Sequence, residues 1–157
     1  MATTTQGMIY ITALSTLEKL EVQYIPRELT SNRQVNLGEV QVVGRNNPLQ
    51  HYTGGSNRIR LELEFYSDQR DREDVIAKCR LLESWAMNDG NVAPQEKLRV
   101  TFGRMFKENE IYRISDLSVD YSMFSPTKGM LPRQATANIE LVLDPKFNRK
   151  AEDVKWI

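Results

Sequence analysis

The sequence predicts a mainly β domain of the α+β type, an antiparallel barrel or sandwich with one helix packed against it. Segments in which apolar and polar residues alternate lie on both sides of a single stretch with helical spacing. Their order is several strands, one helix, then at least three strands, which differs from the regular strand and helix alternation of a doubly wound sheet. At 157 residues and 18.2 kDa, one domain can bury roughly 68–70% of its unfolded surface without a metal or a disulfide.

Residues 1–8 begin MATTTQGM and are expected to form an N-terminal arm. Strand-like pieces follow in MIYITAL and LEKLEVQYI, where Leu20, Val22 and Tyr24 alternate with Glu21 and Gln23, until Pro26 breaks the pattern. The polar stretch over 30–47 reads as an extended loop with only a short strand-like EVQVV inside it, and Gly44 to Pro48 supply turn residues. From Arg58 to Tyr66 the alternation is strict. Ile59, Leu61, Leu63 and Phe65 point one way, and Arg58, Arg60, Glu62 and Glu64 point the other. Gly54 and Gly55 just ahead of this run are read as a structural turn at the strand entrance.

The spacing of Val75, Cys79, Leu82 and Ala86, widened by Ile76 and Trp85, predicts a helix over about 71–87. Asp71, Glu73 and Asp74 suit its positive end, and Asn88-Asp89-Gly90 suits its stop. Strands then resume in KLRVTFG, EIYRISDLSVDYSMF and RQATANIELVL. In the last of these, Ala135, Ala137, Ile139, Leu141 and Leu143 share one face. The domain is expected to span 9–145, followed by a C-terminal tail over 146–157 whose Trp156 is a candidate docking anchor.

Lys plus Arg number 21 and Asp plus Glu number 21, giving zero formal net charge. This disfavours a general grip on nucleic acid, which depends on cations displacing counterions, and it favours association between copies. The opening residues lack the charged start and apolar run of a signal peptide, and no apolar stretch approaches the ~20 residues of a membrane span. A soluble chain without a membrane partner is therefore expected.

Catalytic chemistry is not expected. The one histidine, His51, has no His or Cys ligand near it in sequence, so no metal site is assigned. The one cysteine, Cys79, falls on the apolar side of the helix and reads as a small core residue. Gly54-Gly55 precedes a strand and lacks the helix and the Lys-Ser/Thr ending of a phosphate loop. No cofactor is assigned, and the chain is read as not an enzyme.

Three stretches carry a resemblance: LEVQYIPRELT with GEVQVVG, then PLQHYTGGSNRIRLELEFYSD, then ISDLSVDYSMFSPTKGMLPRQATANIELVLDP. Together they cover about residues 17–145 in order, and the set resembles the contractile injection system tube-associated family, the baseplate adaptors of contractile tails. The opening differs in reading Tyr24-Ile25-Pro26 without the usual Asn before proline. Members often carry a LysM module, and no LysM-like stretch is found here, so a peptidoglycan-binding role is not carried over.

What the resemblance implies is a tail-tube-like split antiparallel β-barrel arranged as a homo-oligomeric six-fold ring. Its place would be in the virion of a contractile phage, made in the host cytoplasm. The expected role joins the tail tube or tube-initiator protein to the baseplate hub or spike proteins, with DNA only as passing cargo. Arg58, Arg60, Glu62, Glu64 and Trp156 are the candidate inter-subunit contacts. The alternatives are a tail tube, tube-initiator or tail-terminator protein of the same fold and, more distantly, a small-ligand-binding β-barrel.

Overall fold

A computed structural model gives the fold, and it describes residues 9–22, 24–67, 74–87, 95–106, 110–126 and 129–144. Seven strands and one helix follow in the order β1 (Ile9–Ala13), β2 (Lys19–Glu21), β3 (Leu29–Val40), β4 (Leu49–Tyr66), α1 (Asp74–Ala86), β5 (Leu98–Phe102), β6 (Tyr112–Phe124) and β7 (Pro132–Leu143). The expected mainly β architecture with a single helix is what forms. All seven strands belong to one antiparallel sheet ordered β2-β1-β5-β6-β7-β4-β3. Its weakest seam lies between β5 and β6, which share only the pair Leu98 and Tyr112. Across that seam Asp144, buried at the end of β7, meets Arg113 at 3.3 Å and Lys97 at 3.7 Å.

The centre of the sheet is the β4–β7 ladder, in which Ile59, Leu61, Leu63 and Phe65 face Leu141, Ile139, Ala137 and Ala135 in register. All eight side chains are buried. Small alanines opposite Leu63 and Phe65 leave room for a second layer, and α1 fills it with Val75, Cys79, Leu82 and Trp85. The helical stripe read from spacing is thus the buried one, with Ile76 and Ala86 half-buried at its margins. Residues 71–73 of the expected helix lie outside the described residues, as do the N-terminal arm and the C-terminal tail with Trp156.

Two readings need correction. The 30–47 extended loop is in large part β3, a strand of 12 residues paired along its whole length with β4. Its residues are exposed on both faces, so no apolar alternation marks it, yet cross-strand backbone hydrogen bonds do not require one. Only the connection past Val40 is a turn. There the Arg45 amide donates to the Val42 carbonyl, and Gly44 at φ 86° takes the left-handed position that a type II turn needs.

The second correction concerns Gly54 and Gly55, which sit inside β4 and not at its entrance. The register steps from Asn36 opposite Gly54 to Leu37 opposite Tyr52, so Thr53 is the extra residue of a β-bulge. Gly54 has φ 128°, a conformation that side chains resist. A Cβ on Gly55 would run into the backbone carbonyl oxygen of Gln34 on β3. The Thr53 hydroxyl closes the bulge by donating to the Asn36 carbonyl at 2.9 Å.

Replacing Leu63 with Ala removes a fully buried side chain from between the sheet and α1. A loss of about 2–5 kcal/mol in unfolding free energy is expected by denaturant titration, whereas Val43→Ser at the exposed turn should stay within about 0.5 kcal/mol of the parent.

Candidate functional site

The strands β6, β7, β4 and β3 form a four-stranded unit with a buried face and an open one. On the open face the register aligns rows across the strands. Asp116, Glu140, Arg60 and Thr30 lie in one row, Ser118, Asn138 and Glu62 in the next, and Asp120, Thr136 and Glu64 in the third. Alternation explains the placement, because each of these residues is next in sequence to one that enters the core. A bulge at Ser115 keeps β6 in phase by absorbing one residue, and its hydroxyl donates to the Glu140 carbonyl at 3.1 Å.

Within this face the predicted stripe divides. Arg58 Nη1 reaches Glu140 Oε1 at 2.7 Å, and Arg60 Nε reaches Glu140 Oε2 at 3.0 Å. The two arginines thus find their partner on the neighbouring strand of the same chain. Glu140 is only 11% exposed beneath them. The hydrogen bond from Arg58 holds its carboxyl below the usual carboxylate range, partial burial opposes that, and the Arg60 charge adds to it. Glu62 and Glu64 follow Arg60 on the same face of β4 but take no part in this pairing. A groove beside them is walled by Tyr24, Ile25, Pro26, Arg27 and Glu28.

The edges of this unit are as notable as its face. β3 ends the strand order, so its outer edge is bare among the described residues. From Asp116 to Phe124, β6 pairs with β7 on one side and has no ladder partner on the other among the described residues. Beyond Arg58, β4 loses β7, and among the described residues 49–57 are paired with β3 alone. The result is a two-stranded ribbon that projects past the sheet.

On the core-side face of that ribbon stand Val35, Leu37 and Tyr52, exposed at 49%, 54% and 58%. Arg33 stiffens it by donating to Tyr52 at 2.6 Å and to Asn57 at 2.7 Å. The bulge at Thr53 makes this possible, because the extra residue turns Tyr52 to the same side as Gly55 and Asn57.

No family model matches the chain, and no curated protein does. Twelve chains of solved structures match it. One of them comes from a structure described as the virion of native gene transfer agent (GTA) particle, at 14% identity and a TM-score of 0.42, with 87% of this chain and 91% of that chain covered.

Burial pushes the Cys79 thiol up to about 11, against a hydrogen bond donated by Tyr121 that acts the other way, so the neutral thiol predominates at neutral pH. Tyr121 is itself pushed up to about 12, first by burial and then by the neighbouring charges of Cys79 and Glu83. His51 lies exposed on the ribbon with its ring over Gly38. Among the described residues no group of three or more His, Cys, Asp or Glu is placed to hold a metal ion, and no helix is long and apolar enough to cross a membrane.

What the stripe alone did not reveal is Glu140 as the common acceptor, the carboxylates Asp116 and Asp120 that β6 adds to the face, and the apolar side of the ribbon. The first was readable from the alternation in RQATANIELVL, which puts Glu140 on the polar side. The ribbon had no such signal.

Because the folded-state pKa of Glu140 is depressed, its contribution to stability is complete above the carboxylate's unfolded value and is lost as pH falls through the folded one. Glu140→Gln should therefore lower the melting temperature at pH 7, and its deficit against the parent should shrink steadily below about pH 4. A deficit equal at pH 7 and pH 3 would mean that the ion pair is not its source. Gly55→Ala should cost about 1–3 kcal/mol through the clash with Gln34 and raise amide exchange across the ribbon more than in β7.

Proposed function

We propose that the protein is a structural component of a contractile phage tail, a ring-forming adaptor that joins the tail tube or its initiator to the baseplate hub and leaves a channel for DNA. The observation that carries this reading is the pair of bare edges on the β6-β7-β4-β3 unit. All its pairings are antiparallel, so β3 and β6 run in opposite directions. Copies related by rotation about one axis keep the same axial sense. The β3 edge of one copy then meets the β6 edge of the next as an antiparallel pair, and the alternation continues around a closed ring.

Such pairing satisfies backbone groups that would otherwise invite disordered aggregation, and it closes the ladder as a barrel does. The open faces of all copies then line one surface. Its Ser, Thr and Asn residues and its carboxylates Glu62, Glu64, Asp116 and Asp120 suit a channel wall, since they do not retain passing phosphates. Arg58 and Arg60 do not contradict this, because Glu140 engages both. In this arrangement Glu62 and Glu64 are lumen residues, the projecting ribbon reaches the next copy, and the terminal segments are the contacts to neighbouring rings. Placement at the hub, as opposed to within the tube, rests on the three motif stretches and their order.

Electron imaging of the native particle is the direct test: the protein should occupy a ring between tube and baseplate, and its absence from any tail would overturn the reading. A proline pair tests the edge itself. Adjacent residues of a strand point their amides to opposite sides, so one of Ser31→Pro and Asn32→Pro removes only an outward amide of β3. That variant should fold cooperatively yet lose ring assembly, whereas normal assembly of both would exclude the edge.

A further inference from the structure

We infer that the β3–β4 ribbon docks on a second copy of this chain, in the groove between the end of α1 and the bare edge of β6. This contact deepens the ring reading above and rests on it. The groove is lined by Ala86, Met87, Ile114 and Leu117, with Glu83, Gln95 and Asp116 at its rim. Its apolar floor is the core-side face of β6 where that strand has no further ladder partner among the described residues.

Two features of the ribbon fit that groove. Val35, Leu37 and Tyr52 lie on its core-side face, so when β3 lies along β6 of another copy they continue that copy's inner surface and not its polar face. A two-stranded ribbon is marginal by itself and gains from packing one face. Charge adds little to the fit: residues 32–57 carry Arg33 and Arg45 against Glu39 alone, but Glu83 beside the groove is already engaged by Arg80 at 2.9 Å, and Asp116 belongs to the open face of β6, so the contact rests on the apolar faces and the bare strand edges. Met87, exposed at the end of α1, is an unbranched side chain able to fill the gaps left by branched Val35 and Leu37.

Cysteine pairing tests this cleanly, because the native Cys79 is fully buried. Full-length Val35→Cys and Met87→Cys chains are mixed at high concentration and in native particles, and then oxidised. The mixture should give about tenfold more covalent heterodimer than Ser118→Cys mixed with Met87→Cys, since Ser118 lies on the open face and disulfides demand close Cβ atoms. Rings without the Val35–Met87 heterodimer would overturn the contact and leave the ring standing. Heterodimer without rings would keep the contact and remove the ring. A product dominated by Val35–Val35 homodimer would overturn the contact in favour of ribbon-to-ribbon packing, and neither rings nor heterodimer would overturn both.

Discussion

The structure depends on the β4–β7 ladder, where four large side chains of one strand interlock with two alanines, an isoleucine and a leucine of the other. Strand geometry makes the consequence unavoidable. With every second residue of β4 fixed in the core, the residues between them must share the opposite face, so the charged surface is produced by the same alternation that builds the interior. The alanines on β7 leave space that α1 fills, and α1 in turn shields the inner face of β6 and β7.

The same ladder explains the ribbon. The β7 pairing stops opposite Arg58, whereas β4 begins at Leu49, so among the described residues a length of β4 has β3 as its sole neighbour. Compact single domains seldom present Val, Leu and Tyr together on an unsupported hairpin, because apolar area of this kind costs free energy in water. The bulge at Thr53 adds to the effect by bringing Tyr52 to the side of Val35 and Leu37, and Arg33 braces that face with two hydrogen bonds. In the ring proposed above, the bare edges would supply backbone pairing, the polar wall passage and the braced apolar arm attachment.

Legibility in the sequence followed burial. β4 beyond Arg58, β7 and α1 were readable because one face of each is fully in the core, and this imposes a period of 2 or 3.6 on the residues. β3 was unreadable for the converse reason: it is exposed on both faces and held by backbone bonds, which leave no side-chain pattern. The glycine pair, which the sequence suggests as a turn at the strand entrance, lies beside a bulge inside β4. Some turns and some bulges alike place a glycine at positive φ, as Gly54 is here, and only the partner strand distinguishes them.

By itself the sequence determined the mainly β class, the single helix, the inert cysteine and the mixed charge on one face of β4, since each follows from local periodicity or composition. The tertiary structure decided which charges are already matched. Arg58 and Arg60 meet Glu140 from a strand 80 or more residues away in the chain, and Glu62 and Glu64 take no part in that pairing. It also decided which edges stay bare, because strand order is set by long-range pairing. No local pattern of residues encodes the neighbour that a strand lacks.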